Sequence, residues 1–553
     1  MTRFVQAAPE LRDPYATDRQ LLGWLDRLLG PDGHAAAKDR LAALAADVLG
    51  PLRAAHHDAE THPPTLTRYD AWGGRIDRID TAPGWERLRV AAAEHALVAL
   101  PYADFRRTWG AGTRIVQFAL LYLYGPESAT YTCPVAMSDG AAALLTATGS
   151  APAYLERLIS TDPAVAITSG QWMTESQGGS DIGRSTTTAR CAADGSWRLT
   201  GDKWFCSAID SAMAVALARP EGAADGSRHL VPFLVPRYDN EGLQVLRLKD
   251  KLGTRAVPTG EVRLDDALGI PLSDPGKPGL ATMMTLVVIT RLHNAVAAAG
   301  GMRRGLEYAA SYARHRTVAS GRLIDNPLHR ATLGTLAVDA AGAFALAAHA
   351  FELLGRAEAD ADEAALSALR LVAPLAKLTT GRLGVASASE YLECFGGAGY
   401  VENTGIPRLL RDAQVLPIWE GTTNVLSVDV LRALSGTDAL KQVLMRAQAA
   451  IDAASTRLPD VAEALATAVR RIAADAEAAA RDPKSERVQA GARGLALRMG
   501  YALAAALLVE HAAGSDDDAA AVIATLWTLR YLAQADISDE ANRYFEALVA
   551  TAA

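Results

Sequence analysis

The chain has 553 residues, of which half are hydrophobic and 21% are charged. This composition excludes an intrinsically disordered protein, and the length predicts several domains because single hydrophobic cores stop growing near ~250–300 residues. A net charge of −8 excludes a globally basic nucleic-acid-binding protein, although a local basic patch stays open.

Residues 1 to about 165 are predicted to form an N-terminal α-helical domain. Apolar residues recur at helical spacing over 19–29 and 38–49, and again over 85–121. Between them, 62–85 carries proline and glycine pairs, which predict an ordered loop. The first residues contain no apolar stretch of the kind found in secretory signals, so a leader peptide is not expected.

Residues 166–280 are predicted to form a central β-domain. Short β-rich runs are separated by turn residues, and this spacing is typical of a small antiparallel barrel or sandwich rather than of alternating strands and helices. The predicted strands are 186–190, 197–200, 212–218, 229–235, 243–248 and 261–264.

The remaining chain is predicted to be helical, as a C-terminal α-helical domain over 281–435 and an extra helical domain over 436–553. Amphipathic stretches cover 291–316, 328–356 and 366–394, and an acidic turn at 514–518 divides the extra domain. No apolar run approaches ~18 uninterrupted residues, so no membrane-spanning helix is expected. All-α, all-β and all-α regions in succession predict an α+β fold, and the clefts between such lobes are favoured ligand sites.

Two short motifs indicate the chemistry. MTESQGGSD at 173–181 is a polar, glycine-bearing loop that lets backbone N–H groups approach the polar edge of a flat ring. IWEGTTN at 418–424 places the Glu420 carboxylate between the Trp419 indole and a Gly-Thr-Thr-Asn turn, a setting for a carboxylate held against an apolar ligand. Together the two motifs suggest a flavin and a catalytic base.

Four segments, in the same order, resemble the acyl-CoA dehydrogenase family of flavoproteins over about residues 165–435. They are MTESQGGSD, TGDKWFCSA at 200–208, YARHRTVASGRLIDNPLHR at 312–330 and CFGGAGYVENTGIPRLLRDAQVLPIWEGTTN at 394–424. Further features resemble the AidB-like branch, which is linked to the bacterial response to alkylating agents. These are RYDAWGGRIDRID at 68–80, the Trp204-Phe205 pair and the extra helical segment after Leu434.

The resemblance implies an N-terminal α-domain, a central β-domain, a C-terminal four-helix α-domain, bound FAD and α,β-dehydrogenation of an acyl-CoA thioester. Glu420 would remove the α-proton from within ~3 Å, its backbone N–H would help to bind the enolate oxygen, and the flavin would accept the β-hydride. The residues implied to contact FAD are Met173, Thr174, Gly179, Ser180, Phe205, Ser207, Arg316, Gly396, Gly397, Trp419, Thr422 and Asn424.

Other interpretations stay open for several of these residues. Thr174 and Ser180 could be turn hydroxyls, and Phe205 and Ser207 could be ordinary strand residues. In the family, an arginine at the position of Arg316 pairs with the FAD pyrophosphate of a neighbouring subunit, but the run HRTVASG is one residue longer than the usual pattern.

Two other kinds of site are rejected. The glycines at 396, 397 and 399 follow no predicted strand, which excludes a Rossmann dinucleotide site and favours a helix C-cap and turn that meets the cofactor of a partner subunit. His56, His57, Glu60 and His62 fit no zinc-binding spacing, so no metal site is predicted.

The cofactor site implied to be shared between subunits predicts a homotetramer, or at least a homodimer, and the family's usual electron acceptor is an electron-transfer flavoprotein. The four cysteines are dispersed and form no CxxC pair, which favours reduced thiols and a cytoplasmic protein.

Two alternatives to a dehydrogenase are considered. An AidB-like flavoprotein could associate with DNA and keep only residual dehydrogenase activity, but 441–553 carries twelve Lys/Arg against fifteen Asp/Glu, a net of −3 that does not favour DNA. An oxidase or a flavin monooxygenase on the same scaffold would pass its electrons to oxygen, but Glu420 does not favour the hydroxylating enzymes, which need no base for an α-proton.

Overall fold

The computed structural model describes residues 5–102, 104–435 and 438–549. Contacts divide the chain into two compact units. The helical unit comprises Met1–Leu49, Arg106–Pro126 and Asn294–Ala553, and the barrel unit comprises Gly50–Phe105 and Glu127–His293. The predicted boundaries at 165, 280 and 435 follow changes of secondary structure along the sequence, whereas the two units follow contacts in space. The four-domain division therefore stays a prediction.

Most of the chain is helical. In chain order the α-helices are α1 (Arg19–Leu49), α2 (Pro51–Thr61), α3 (Pro83–Glu94), α4 (Arg106–Trp109), α5 (Thr113–Tyr124), α6 (Thr132–Thr148), α7 (Pro152–Leu158), α8 (Leu280–His315), α9 (Pro327–Ala359), α10 (Glu363–Cys394), α11 (Ile406–Ala413), α12 (Thr423–Leu434), α13 (Ala439–Ala454), α14 (Pro459–Arg481), α15 (Glu486–Ala513), α16 (Asp518–Tyr531), α17 (Ser538–Arg543) and α18 (Phe545–Val549).

The strands are concentrated in the central region. They are β1 (Thr65–Tyr69), β2 (Arg75–Asp80), β3 (Ser169–Trp172), β4 (Thr188–Cys191), β5 (Trp197–Ser207), β6 (Met213–Pro220), β7 (Val231–Pro236), β8 (Leu243–Leu248), β9 (Thr259–Pro271), β10 (Thr317–Val318) and β11 (Gly321–Arg322).

The central sheet of the barrel unit closes on itself. Strands pair in the order β6–β4–β5–β9–β7, and β7 pairs back to β6, while β3 joins β6 and β8 joins β9. The pairs β3–β6 and β4–β6 are parallel, so the sheet is mixed although most of its pairs are antiparallel. Closure leaves an interior filled by alternating apolar side chains, among them Leu199, Phe233 and Val262. The predicted central β-domain is confirmed, and the sequence missed only its first strand, β3.

A β-hairpin replaces the loop predicted over 62–85. β1 and β2 pair antiparallel, and the turn between them is held by the Asp70 carboxylate, which accepts from the N–H groups of Trp72 and Gly74 at 2.8 Å. Gly73 in this turn has a φ of +84°. The proline and glycine pairs predicted a break in the helical pattern. The short alternation of polar and apolar residues on either side of the turn, which is typical of hairpin strands, was overlooked.

The helical unit is built on long, alanine-rich helices that pack closely. α1 contains both predicted N-terminal helices and bends at Gly30, whose φ is +70°. The extra C-terminal helices belong to the same unit. A Cβ added at Gly342 in α9 would lie 2.0 Å from the ring of Trp527 in α16, so glycine is required for this approach. Arg530 and Tyr531 donate to the buried Asp339 carboxylate at 3.0 and 2.8 Å, which fixes the same contact with polar bonds.

Three helices are long and apolar enough to span a membrane by length and composition, namely Leu280–His315, Pro327–Ala359 and Glu486–Ala513. The sequence analysis did not identify these three apolar helices, because it considered only uninterrupted apolar runs and polar residues interrupt each of them. Of their most apolar windows, 61%, 89% and 72% of the residues are buried inside the fold, as in core helices.

Candidate active site

The MTESQGGSD motif lies in the barrel unit, in the loop that leaves β3. Gly178 has a φ of +108°, which glycine adopts without strain, and its N–H donates to the Glu175 carbonyl at 2.9 Å. Gly179 lies against Thr174, since a Cβ added there would come within 2.7 Å of the Thr174 hydroxyl oxygen. Gly179 and Ser180 are exposed. The loop is therefore a tight turn that presents backbone and a hydroxyl group at the surface of the unit.

One buried carboxylate inside the motif fixes this loop. Glu175 is 2% exposed and accepts hydrogen bonds from the loop itself, from the following segment and from β5. The donors are Lys203 Nζ at 2.8 Å, Thr187 Oγ1 at 2.6 Å, Thr187 N at 3.2 Å, Thr186 N at 2.7 Å, Thr186 Oγ1 at 2.9 Å, Gln177 Nε2 at 2.9 Å and the Ser185 hydroxyl. The set of these contacts is called the Glu175 hub below.

Charge in the Glu175 hub is balanced within the protein. Burial alone would raise the pKa of the Glu175 carboxyl, but the Lys203 ammonium and the donated hydrogen bonds outweigh it and hold this pKa well below the ordinary value of 4.5. Burial lowers the pKa of Lys203, and the attraction of Glu175 opposes that shift. Lys203 is fully buried and also donates to the Leu217 carbonyl at 2.7 Å. The hub is therefore a buried ion pair whose remaining bonding capacity is used by the loop.

The predicted cofactor residues of β5 lie beside the same loop. The Trp204 N–H donates to the Thr174 carbonyl at 2.9 Å, which ties the loop to the strand. Phe205 is 55% exposed on the barrel unit, and Lys249 Nζ lies 4.9 Å from the centroid of its ring. The Ser207 and Thr259 hydroxyl oxygens are 3.2 Å apart. β5 runs to Ser207, beyond the predicted strand 197–200, and it brings these residues next to the glycine loop.

These residues of the barrel unit fit a flavin. An exposed aromatic ring provides apolar contact for a flat ring system, and the hydroxyl groups and accessible backbone beside it suit the polar edge of such a ring. Met173 is half-buried, packs on the core that includes Leu286, and its sulfur accepts from Gln171 Nε2 at 3.2 Å. Met173 therefore anchors the base of the loop.

The second motif lies in the helical unit, on the turn between α11 and α12. Glu420 has a φ of +56° and Gly421 a φ of +105°, so two consecutive residues adopt left-handed conformations. This conformation is unusual for a glutamate, costs of order 1–3 kcal/mol and persists only because the surroundings enforce it. Glu420 is half-buried.

Contacts on both sides hold the Glu420 turn. The Trp419 indole N–H donates to the side-chain carbonyl of Asn294, and the ring packs on a small cluster that includes Leu416. On the other side, Lys377 Nζ donates to the Gly421 carbonyl at 2.6 Å. Asn294 and Lys377 lie 125 and 44 positions before their partners in the sequence. The turn is therefore bonded to both α8 and α10.

Thr422 and Asn424 have structural partners in the helical unit. Thr422 is the N-cap of α12, and its hydroxyl oxygen accepts from the Val425 N–H at 3.4 Å. Asn424 is exposed, and its side-chain oxygen accepts from Arg493 of α15 at 3.4 Å. Both were predicted to contact the cofactor. The capping role of Thr422 is one that its position before a helix could have suggested.

Arg316 and the glycine segment also lie in the helical unit. Arg316 follows the last residue of α8, and its backbone begins the β10–β11 hairpin by accepting from the Leu323 N–H at 2.8 Å. Gly396 follows the C-cap of α10 with a φ of +56°, as a helix C-cap glycine does. Gly396 and Gly397 are exposed, next to Tyr400, which is 89% exposed. A helix precedes these glycines, in agreement with the rejection of a Rossmann site.

A cavity of about 410 Å³ elsewhere in the helical unit contains none of the predicted site residues. Arg27, Glu352, Arg446 and Glu510 line it and form a network of ion pairs. Walls of this kind do not suit an acyl chain, which requires an apolar surface. We therefore do not assign the active site to this cavity.

The expected absence of a metal site meets no contrary observation. Among residues 5–102, 104–435 and 438–549, no group of three or more His, Cys, Asp or Glu side chains could hold a metal ion. His56 is buried and its Nδ1 accepts from the Ala129 N–H at 2.9 Å. His62 pairs with Asp58. These histidines have structural partners.

Sequence reasoning missed the residues that position the two motifs. Glu175 lies within the first motif, and an acidic residue among loop hydroxyl groups was a usable signal. Lys203 lies within TGDKWFCSA, but only burial distinguishes it from an ordinary surface lysine. Nothing in the sequence linked Lys377 or Asn294 to the Glu420 turn, because both contacts depend on how the helices pack.

Comparison with known families matches three successive stretches of the chain, within residues 6–435. The acyl-CoA dehydrogenase middle domain matches residues 170–267, and the acyl-CoA dehydrogenase C-terminal domain matches residues 277–435. The N-terminal domain of the adaptive response protein AidB matches residues 6–162. The motif-based resemblance, including the AidB-like branch, is thereby confirmed.

Two related proteins and one solved structure support the same family assignment. The chain is 40% identical over 455 residues to acyl-CoA dehydrogenase family member 11 of Caenorhabditis elegans, covering 79% of this chain and 73% of that protein. It is 34% identical over 388 residues to AidB of Escherichia coli (strain K12), covering 68% and 70%. The structure is similar to that of Caenorhabditis elegans ACDH-11 in complex with C11-CoA, with a TM-score of 0.92, 36% identity, and coverage of 97% of this chain and 93% of that chain.

A fold of this kind, with a closed central sheet and helical segments before and after it in the sequence, defines the class of acyl-CoA dehydrogenase-like flavoproteins. The chain belongs to the acyl-CoA dehydrogenase family, and more narrowly to its AidB-like branch. It is an FAD-dependent oxidoreductase.

Proposed function

We propose that this protein catalyses the α,β-dehydrogenation of an acyl-CoA thioester, with Glu420 as the base. The carboxylate takes the α-proton, a hydride leaves the β-carbon, and an α,β-unsaturated thioester is the product. Bound FAD supplies the acceptor for that hydride. The acyl-CoA substrate is supported by the ACDH-11 relative, whose structure was solved with C11-CoA.

The observation that carries this proposal is the conformation of the Glu420 turn. A glutamate in a left-handed conformation, bonded on both sides to distant helices, indicates a side chain whose direction matters. A base must lie within hydrogen-bond reach of the proton that it removes, and such placement contributes ~10²–10⁴-fold in rate. The backbone N–H of Glu420 is the group that the resemblance assigns to the enolate oxygen.

Each unit by itself contains residues that we propose to contact FAD. In the barrel unit, Thr174, Ser180 and Ser207 would donate or accept at the polar edge of the flavin or its phosphates, and Phe205 would pack on its ring. Met173 and Gly179 give the loop its shape. In the helical unit, Arg316 would pair with a phosphate.

The remaining predicted contacts are in the helical unit. Gly396 and Gly397 expose backbone beside the uncovered ring of Tyr400, and Trp419 flanks the base. Thr422 caps α12 and Asn424 accepts a hydrogen bond from Arg493. If either side chain also contacts FAD, it must do so in addition to, or in place of, this contact.

The test is anaerobic titration with acyl-CoA thioesters, followed at the flavin absorbance. We expect the wild-type protein to bleach, and Glu420→Gln to purify yellow and not to bleach. Glu363→Gln, an exposed glutamate in the first turn of α10, is the matched control and should bleach normally. A Glu420→Gln protein that bleaches at the wild-type rate would exclude this residue as the base. Wild-type protein that stays yellow with a broad panel of thioesters would exclude the dehydrogenase.

Assembly, acceptor and location are part of the same proposal. The exposed Tyr400 and Val401 beside Gly396 support a homotetramer or homodimer in which this segment is covered. Light scattering on the purified protein tests this. An electron-transfer flavoprotein is proposed as the acceptor, and fast reoxidation by air with release of peroxide would favour an oxidase instead. A cytoplasmic location is consistent with free cysteines at 133, 191, 206 and 394.

DNA association is not part of the proposal. The acidic balance of 441–553 argues against it, and a gel shift that weakens with salt would be needed to revive it.

A further inference from the structure

A fully buried lysine contacts the turn that carries Glu420. Lys377 lies in the middle of α10 and has no exposed surface. Its neighbours on the helix, Leu375 and Leu378, belong to the apolar core of the helical unit. A leucine at this position would cost less free energy, because a buried ammonium group loses its hydration. The presence of a lysine therefore indicates a specific requirement for its amino group.

The Lys377 ammonium donates to the backbone carbonyl of Gly421, the residue that follows Glu420, at 2.6 Å. This is a short, charge-assisted hydrogen bond. It acts on a left-handed stretch of backbone, since Glu420 and Gly421 have φ values of +56° and +105°. A strained backbone persists only when its surroundings over-determine it.

Two further contacts hold the residues on either side of the left-handed pair. Trp419 is held from α8 through Asn294, and Thr422 begins α12 as its N-cap. These bonds fix the residues before and after the left-handed pair. The Lys377 bond fixes the carbonyl within the pair and so determines the rotation of the peptide between Gly421 and Thr422.

We propose that Lys377 is a positioning residue for the base, acting on Glu420 through the Gly421 carbonyl. This inference rests on the proposed function of Glu420. Loss of the hydrogen bond lets the turn relax, and the Glu420 carboxylate then samples directions that do not reach the α-proton. Substrate and FAD still bind, because Lys377 is assigned no contact with either. The expected defect is therefore in proton removal, with binding retained.

The experiment uses the full-length holoenzyme and three substitutions. Lys377→Met removes the donor and keeps the length of the side chain. Lys377→Gln keeps an amide donor on a shorter stem, and Lys377→Arg keeps a charged donor. Flavin reduction is followed under anaerobic conditions over a range of acyl-CoA concentrations, and FAD content is measured from the absorbance spectrum. Exchange of the α-protons of acyl-CoA with deuterated water is measured in parallel by mass spectrometry.

We expect Lys377→Met and Lys377→Gln to reduce flavin at least tenfold more slowly at saturating substrate. KM and FAD content should stay within about threefold of the wild type, and α-proton exchange should fall by the same factor as the reduction rate. Lys377→Arg should recover at least part of the lost rate. Leu375→Ala, a core truncation on the same helix, controls for general loss of packing and should lower the melting temperature without slowing the reduction.

Three results would overturn the proposal. One is full rate at saturating substrate in Lys377→Met or, if that variant does not fold, in Lys377→Gln. Another is a loss of rate that follows a matching loss of FAD or rise in KM, which indicates a purely structural lysine. The third is an equal loss of rate in Leu375→Ala. Glu420→Gln is measured beside these variants, because full activity there refutes the proposed base itself, whereas an inactive Glu420→Gln with a fully active Lys377→Met refutes only the role of Lys377.

Discussion

The two motifs are held in place by different means. The loop at 173–181 contains its own anchor, Glu175, whose bonds lie mostly within the next dozen residues. The Glu420 turn is bonded to Asn294 and Lys377, which lie 125 and 44 positions from their partners. A loop that carries its own carboxylate hub is fixed when its unit folds. A turn held by two separate helices is fixed only when those helices are packed correctly.

This difference fits the roles that we propose. A cofactor loop must keep one shape, and a hub with many bonds provides that rigidity. A base must point accurately, and bonds from long helices fix its direction against a rigid frame. Breaking the hub should therefore abolish cofactor binding together with stability. Disturbing the turn should affect catalysis while leaving the cofactor bound.

The largest effect is expected for Glu175→Gln. The substitution removes the charge opposite Lys203, and leaving a buried partner charge without compensation costs about 3–5 kcal/mol. We expect the protein to purify largely colourless, with a lower melting temperature. Absorbance of the purified protein and thermal unfolding measure both effects. Ser176→Ala, an exposed residue of the same loop, is the control. A yellow Glu175→Gln protein of normal stability would refute the role of the hub.

Acid should weaken the Glu175–Lys203 ion pair and so lower the stability of the protein. The pKa of the Glu175 carboxyl is lowered in the folded protein, so its contribution to stability is present above the ordinary value of 4.5 and is lost as the pH falls below it. The free energy of unfolding of the wild type should therefore decrease more steeply between pH 5 and about pH 3 than that of Glu175→Gln. Denaturant titrations at a series of pH values test this, and parallel curves would count against an ionised hub.

A smaller effect on stability, but a clear one on catalysis, is expected for Gly421→Ala. An added Cβ at a φ of +105° is strained and would lie 3.0 Å from Leu426, at a cost of about 1–3 kcal/mol. Relief of that strain turns the Glu420 carboxylate away, so anaerobic flavin reduction should slow at least tenfold while FAD stays bound. Gly491→Ala, in open space on α15, is the matched control and should be neutral or slightly stabilising. Equal rates in the two variants would show that the turn tolerates change.

The fold was predictable from sequence wherever a local pattern carried it. Alternating runs and turn residues located the barrel strands, and helical spacing located α9 and α10 within a few residues. β3 was missed because its four residues, Ser169–Trp172, are too short to show a period. The strand pairings that close the barrel depend on contacts between distant segments, which no local pattern specifies.

The site was predictable to the same extent. Motifs identified the residues that could contact a cofactor or a substrate, because their types and spacing are local properties. The residues that orient them were not identified, since a buried Lys377 and an exposed lysine look alike in a sequence. Thr422 shows a related difficulty, because one hydroxyl group can cap a helix and also face a ligand.

The smallest effect is expected for Thr422→Ala, and it separates those two roles. Loss of an N-cap costs about 0.5–2 kcal/mol, and the 3.4 Å bond to the Val425 N–H places Thr422 near the lower end. If capping is its function, Thr422→Ala should lower the melting temperature slightly, Thr422→Ser should restore it, and FAD affinity should not change in either variant. If the hydroxyl also binds the cofactor, Thr422→Ala should release FAD more readily at unchanged stability. Fluorescence of the FAD released on dilution distinguishes these outcomes. Easier release of FAD from Thr422→Ala would mean that the turn at 420–422 contacts the cofactor in addition to carrying the base Glu420.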